Sequence, residues 1–293
     1  MEAIITSGLT KYYGNTIGIT GLDLSVKIGE FFGFIGPNGA GKSTTIRTLL
    51  GFISPTSGSG TVLGKDIIKE REAILKKVGY LPSEAVFYSG MKVKEILKLS
   101  ADLRKTDCEK SAAELCERLQ LDVSKKIDEL SFGNRKKAAI VCALQSDPEL
   151  LILDEPTGGL DPLMQREFFE IIKERNKKGT TVFLSSHILS EVQKNCDRAA
   201  IIKDGRIIAC GSVEALARSN AKRISLHGSA DIFGLDGVKD YKSDGVSASF
   251  LYSGDMNDLI KKLSYGNITD LNISDPELSE IFLHYYEKEG DAK

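Results

Sequence analysis

Nine residues, GPNGAGKST at positions 36–44, restrict what this chain can fold into more than any other stretch. They fit the pattern G-x-x-x-x-G-K-[ST], with Gly36, Gly41, Lys42 and Ser43 in the fixed places. Each residue type there has a mechanical reason. Glycines let the backbone turn tightly, so that consecutive N–H groups across Asn38, Gly39, Ala40 and Gly41 and on to Thr44 point inward at phosphate oxygens. Lys42 adds a point charge that reaches terminal phosphates, and the Ser43 hydroxyl can ligate Mg²⁺. The loop requires a strand before it and a helix after it. Residues 30–35, EFFGFI, are aromatic and β-forming, and TTIRTLLGF from Thr44 onward reads as a helix whose N-terminal dipole faces the anion.

The chain has 293 residues, room for one large domain and a small one or two of middling size, and its 41% hydrophobic content suffices for a core. A net charge of −2 with both signs abundant gives no reason to expect nucleic acid as the main partner. The opening MEAIITSGLTKYYG is too polar for a secretory leader, and no window of about 18 apolar residues would span a bilayer. Cys108, Cys116, Cys142, Cys196 and Cys210 form no C-x-x-C pair, which fits reduced thiols rather than a disulfide framework or zinc site. His187, His227 and His284 are too dispersed to suggest a metal site. A soluble intracellular protein is expected.

Along the chain the pattern changes three times. Residues 1–80 are strand-rich: AIITSGLTKYY, LDLSVKI and EFFGFIG. Residues 87–147 are helical, with VKEILKLSADLR, EKSAAELCERLQL and GNRKKAAIVCALQ carrying apolar residues at three- and four-residue spacing. From 149 to about 217 strands (LLILDEP, TTVFLSS, AAIIKDGRII) alternate with helices (PLMQREFFEIIKERNKKG, SEVQKNC), as in parallel β-α-β construction. After a short linker around 217–222 a second unit reads strand (RISLHG), strand (VSASFLY), helix (DMNDLIKKLSY), strand (ITDLNI) and final helix. That last helix has a capping box, Ser274 with Glu277, Pro276 in its first turn, and a packing stripe of Leu278, Ile281, Phe282 and Tyr285.

Two further stretches complete a nucleotide site. LLILDEP sets Asp154 and Glu155 at the end of an apolar strand, which in folds of this class ends beside the phosphate loop. Asp154 then suits Mg²⁺, directly or through water, and Glu155, facing another direction, can polarise an attacking water. TVFLSSH brings His187 to the end of another apolar strand, in reach of the γ-phosphate or the water.

The ordered set GPNGAGKST, LSFGN, LLILDEP, GGLDP and His187 closely resembles the ATP-binding subunits of ABC transporters, over roughly the first three quarters of the chain. The resemblance implies an α/β P-loop NTPase core of the RecA-like kind with an antiparallel β subdomain and an inserted helical subdomain. The implied division is an ATPase domain at 1–220 (helical subdomain about 84–147) and a small α+β accessory domain at 221–293. It implies ATP and Mg²⁺ as cofactors, with Lys42, Glu155 and His187 catalytic and Ser43 and Asp154 on the metal. Tyr13 in KYYG stands where the family stacks an aromatic on adenine, with Tyr12 as the fallback. Ser131, Gly133 and Asn134 belong to the signature segment, which binds the ATP held by another subunit, and Asp161 to the loop that crosses the dimer interface.

Two departures stand out. The signature reads LSFGN where the family has LSGGQ, so Phe132 and Asn134 replace a glycine and a glutamine while the hydroxyl and second glycine remain. After VGYLP the family usually carries a glutamine that ligates Mg²⁺ and senses the membrane subunit; here Ser83 and then Glu84 follow. Ser83 is short for that distance without a bridging water, and Glu84 could supply an oxygen if the loop shifts.

The resemblance also implies partners. A second copy of the chain, or a homologous ATPase subunit, would close head to tail over two nucleotides when ATP bridges them. A separate integral membrane subunit would dock near the lid loop, in a groove lined by residues 84–93, placing this chain at the cytoplasmic face of the membrane. The ending DPELSEIFLHYY and the form DEPTGGLDP resemble bacterial ABC-2-type exporters of drugs and antimicrobial peptides, so export is expected. The alternatives are an importer ATPase or a soluble ABC ATPase of DNA repair or translation; a single ATPase unit without long heptads or basic excess speaks against the last.

Overall fold

The computed structural model describes residues 1–217, 222–230, 232 and 234–274. The chain divides into two compact units, Met1–Val213 and Glu214–Lys293.

The larger unit holds two sheets. In the first, long strands β1 (Glu2–Tyr13) and β2 (Thr16–Lys27) pair antiparallel. Strands β4 (Ser57–Val62) and β5 (Lys65–Asp66) extend it in the order β2-β1-β4-β5. Alternation along β2, with Leu22, Leu24 and Val26 buried, gives this sheet one core face. The second sheet is built from β3 (Phe31–Ile35), β6 (Val78–Leu81), β7 (Leu150–Asp154), β8 (Thr181–Ser186), β9 (Arg198–Lys203) and β10 (Arg206–Ser212). Its order is β10-β9-β3-β8-β7-β6, parallel throughout except for β10 against β9.

Every residue of β3, β7 and β8 is buried, which is why their apolar residues run consecutively (FFGFI, LLIL, VFL) instead of alternating. Phe183 of β8 packs on Phe32 and Phe34 with ring centroids 5.9 and 5.3 Å apart. Helices α1 (Lys42–Leu49), α2 (Arg71–Lys77), α6 (Pro162–Lys177) and α7 (Leu189–Asn195) pack on these strands. Between β6 and β7 the chain makes α3 (Val93–Arg104), α4 (Glu109–Arg118) and α5 (Phe132–Leu144), the helical segment foreseen from the apolar spacing.

Register fixes where chemistry can occur. Ile35 of β3 lies opposite Ser186 of β8, Asp154 of β7 opposite Ser185, and Leu81 of β6 opposite Leu153. The C-terminal ends of four parallel strands are therefore level. The loops that leave them, starting at Gly36, Pro82, Glu155 and His187, emerge at one sheet edge.

The smaller unit begins with α8 (Val213–Ala217), a helix that straddles the division. Its sheet runs β12-β13-β11-β14, all antiparallel, from β11 (Lys222–Ser229), β12 (Val238–Ser243), β13 (Ser247–Tyr252) and β14 (Asn267–Ser274). Helix α9 (Met256–Ser264) is capped by Asp255, whose carboxylate accepts from the Asn257 amide, and its Leu259 and Leu263 pack with Ile224, Leu226, Phe250 and Tyr252.

Three details differ from the sequence reading. AAIIKDGRII is a hairpin, not one strand, because Asp204 and Gly205 take φ of 47° and 76°, a turn whose twist matches paired strands. Strand β12 and helix α2 carry weak patterns and were not foreseen. Helix α1 begins at Lys42, two residues before Thr44. The last helix expected from Ser274 onward, with Leu278, Ile281, Phe282 and Tyr285, lies outside the described residues.

Candidate active site

The loop after β3 is shaped by contacts that only glycine allows. A Cβ on Gly36 would stand 2.5 Å from Ile202 O, and one on Gly41, at φ 107°, would stand 2.6 Å from Gly18 O. Gly41 caps α1 without a side chain, which leaves the first-turn N–H groups of that helix to an anion. Gly39, at φ 83°, faces open space. Lys42 is 5% exposed, and its ammonium donates to Gly36 O (2.7 Å) and Pro37 O (3.1 Å). The same nitrogen lies 3.2 Å from Glu155 Oε1.

The acidic side faces it across the sheet edge. Asp154, buried at the end of β7, accepts from Ser43 Oγ (2.9 Å) and Ser185 Oγ (3.0 Å), one on each carboxylate oxygen. Glu155 takes φ 47°, a left-handed conformation that turns its side chain away from that of Asp154. Its Oε1 is 3.3 Å from His187 Nδ1 as well as near Lys42. Burial resists ionisation of Glu155, but hydrogen bonds and charge from Lys42 and His187 outweigh it and hold the carboxyl below its ordinary value. Lys42, Ser43, Asp154, Glu155 and His187 thus form one connected group.

Tyr13 ends β1 beside the loop. A Cβ on Gly18 would stand 2.9 Å from its ring and 3.0 Å from Thr44 Cγ2, so ring and loop share one small space. The Lys11 ammonium lies 5.4 Å from the Tyr13 ring centre. Tyr12, its neighbour in the strand, points to the other face.

Ser131, Gly133, Asn134 and Asp161 form a second group. Ser131 caps α5, its hydroxyl accepting from the Asn134 amide at 3.3 Å. Asp161 caps α6, accepting from the amides of Leu163 (3.1 Å) and Met164 (3.0 Å). Each cap stabilises its helix by about 1 kcal/mol. Gly133 packs so closely on Gly159 that a Cβ would stand 2.6 Å from Gly159 O.

The lid loop leaves β6 at Pro82. Ser83 is half-buried and Glu84 exposed. Further on, Ser89 Oγ and the Gly90 amide both donate to Asp128, at 2.9 and 2.6 Å, leaving Val86 and Tyr88 on the surface. Among the described residues no three His, Cys, Asp or Glu side chains gather to hold a metal by themselves.

Three residues of this site were missed in the sequence. Lys136 of α5 is 2% exposed and donates to Pro82 O, Ser83 O and Glu155 O; burial pulls its ammonium down to about 8, against the opposing charges of Asp154 and Glu155. The signal was present: Lys136 shares the apolar stripe of Ala139, Ile140 and Ala143. Ser185 holds Asp154. Glu191 of α7 accepts from Thr157 Oγ1 (2.5 Å) and Ser186 Oγ (2.7 Å), tying the loop after β7 to the residue before His187.

Residues 19–158 match the ABC transporter family. The bacitracin transport ATP-binding protein BcrA of Bacillus licheniformis is 39% identical over 229 residues, 76% of this chain and 74% of that one. An uncharacterized ABC transporter ATP-binding protein of Bacillus subtilis, YhaQ, is 32% identical over 287 residues, 94% of this chain and 95% of its own length. The solved structure of an ATP binding subunit of an ABC transporter superposes with a TM-score of 0.70 at 31% identity, covering 74% of this chain and 92% of that one. With the phosphate loop, the paired acids and the level strand ends of one P-loop sheet, these relationships make the chain a member of the ABC transporter ATP-binding proteins.

Proposed function

We propose that this chain powers export of a drug, antibiotic or peptide by hydrolysing ATP at the edge of its parallel sheet. The observation that carries the reading is the grip on Glu155: its carboxylate lies within 3.2 Å of Lys42 Nζ and 3.3 Å of His187 Nδ1, beside an Asp154 bonded to Ser43. A bound triphosphate offers Lys42 stronger acceptors than the carbonyls of Gly36 and Pro37, and draws its ammonium away from Glu155. Glu155, kept ionised, then orients a water and takes its proton during attack on the γ-phosphorus, while His187 donates to the γ-phosphate. Tyr13 stacks on the adenine, and the amides of residues 38–44 hold the β- and γ-phosphates.

Ser43 Oγ and Asp154 Oδ2, 2.9 Å apart, are hard oxygen donors in the number Mg²⁺ takes from proteins, with phosphates and waters supplying the rest. When bound, that ion neutralises charge on the β- and γ-phosphates.

Ser131, Gly133, Asn134 and Asp161 are assigned to the nucleotide of a second copy or a homologous subunit, which closes on ATP and reopens after hydrolysis. No helix of the described residues is long and apolar enough to cross a membrane. The translocation path is assigned to a separate membrane subunit docking near residues 84–93, with this chain at the cytoplasmic face. Export is favoured by the bacitracin transport role in the name of a 39% identical relative.

The test is Glu155→Gln. Turnover should fall at least about 100-fold while ATP binding persists and an ATP-dependent dimer accumulates in light scattering. A monomer hydrolysing at the wild-type rate would sink the assignment.

A further inference from the structure

We propose that Lys136 is a positioning residue for hydrolysis, its ammonium clamping the lid loop to the backbone of Glu155. The geometry is complete. Lys136 Nζ has three protons and three carbonyl acceptors: Pro82 O at 3.0 Å, Ser83 O at 2.8 Å and Glu155 O at 3.2 Å. Two acceptors belong to the loop leaving β6, one to the loop leaving β7, and the lysine to the helix that opens at the signature segment. Pairing of Leu81 with Leu153 sets the two loops side by side, so a single cation can serve both.

Packing alone does not call for a lysine here. The rest of its stripe on α5 is Ala139, Ile140 and Ala143, and an apolar side chain would fill the same face without desolvating an ammonium. What a charged head adds is directional hold on carbonyls, and the one that matters is that of Glu155. At φ 47° this residue occupies backbone space that non-glycine residues keep only when their surroundings over-determine it. Its amide donates to Ser185 O at 3.0 Å, and its carbonyl accepts from Lys136. Those two bonds pin the peptide groups on both sides of the Glu155 Cα. With them in place the carboxylate has one direction, toward Lys42 and His187.

The clamp also joins three parts that the proposed cycle must coordinate. The lid loop carries Ser83, the signature helix carries Ser131, and Glu155 carries the proton. A shift of either the loop or α5 reaches Glu155 through one nitrogen. This deepens the proposed function and rests on its assignment of Glu155.

The experiment compares the full-length chain with Lys136→Met, which keeps the stem and removes all three donors. Expected are a kcat lower by about tenfold or more, as for misplacement of a catalytic group, and an ATP Kd by calorimetry within about twofold of wild type. Amide exchange should rise at residues 83–86, at 155 and at 157–159, and stay unchanged in α1. If Lys136→Met does not fold, Lys136→Leu, which likewise has no donor, carries the same expectations. A kcat within about twofold of wild type overturns the proposal. So does a joint loss of kcat and affinity with exchange raised throughout α5 and the sheet, which is what a merely structural lysine would give. Glu155→Gln run in parallel separates the failures: if it hydrolyses normally, the Glu155 assignment falls, and if only Lys136→Met does, the clamp alone falls.

Discussion

The ring of Phe132 lies over Gly159 so closely that a methyl group built on that glycine would stand 2.3 Å from Phe132 Cδ1. The departure from the family's signature is therefore accommodated inside the same chain. An aromatic replaces glycine at the first position of α5, and the loop ahead of α6 has no side chain where the ring passes. Gly159 also holds φ 81°, and Phe132 remains 52% exposed.

Gly159→Ala should thus destabilise the chain by about 2–3 kcal/mol, combining overpacking with the left-handed backbone. Adding Phe132→Gly should recover the clash but leave about 1 kcal/mol of backbone strain. Denaturant midpoints of the four chains check this. Strict additivity would show that ring and glycine are not coupled.

Lys42→Ala should weaken ATP binding at least about 100-fold by calorimetry, because a buried charge aimed at phosphate cannot be replaced by water. The same change removes the foremost partner that keeps the Glu155 carboxyl low, leaving His187 alone against burial. Unchanged affinity would remove Lys42 from the site.

The local parts of this site were legible in sequence, and the parts made by convergence were not. GPNGAGKST announces itself because loop, strand end and helix start are contiguous, and LLILDEP because four apolar residues end in two acids. Lys136 lies on the apolar stripe of its helix, but its acceptors could not be read: they are 54, 53 and 19 residues away and meet only through the β6–β7 register. Ser185 and Glu191 were invisible for the same reason. The hairpin in AAIIKDGRII was readable from Asp204-Gly205, a strong turn signal overridden by the apolar runs on either side. Ser131 and Asp161 illustrate the converse: both were read from a resemblance, and both also cap helices within the chain.

Arg118 of α4 joins the helical segment to the core. Its Nε donates to Glu167 (2.7 Å), and its Nη1 and Nη2 donate to Glu174 (2.6 and 3.0 Å), both on α6. The partners are partly exposed, so Arg118→Met should cost only about 0.5–1 kcal/mol at neutral pH. The hydrogen bond from Arg118 is the main reason the Glu174 carboxyl lies below its ordinary 4.5. A lowered acid stabilises the fold above the unfolded value and stops doing so as pH falls through the folded one. The gap between wild type and Arg118→Met in urea midpoint should therefore be full at pH above 4.5 and close below it. A gap that widened in acid would contradict the ion pair.

Ser83 and then Glu84 stand where the family usually has its glutamine. Lys136 holds the Ser83 carbonyl at 2.8 Å, so the backbone there is fixed while the serine side chain has little reach. Glu84 is one residue beyond the clamp, exposed, and longer than serine by one methylene and the carboxyl carbon. We infer that the Glu84 carboxylate, rather than the Ser83 side chain, takes the glutamine's place when the loop shifts. Glu84→Ala should then lower Mg²⁺-dependent turnover by about tenfold and raise the Mg²⁺ concentration for half-maximal rate, as loss of an outer ligand does. Ser83→Ala should stay within about twofold, since the bond that matters is made by its main chain. A magnesium titration of both variants decides between them: equal and mild effects would mean that neither side chain replaces the glutamine, and that water alone completes the metal's shell.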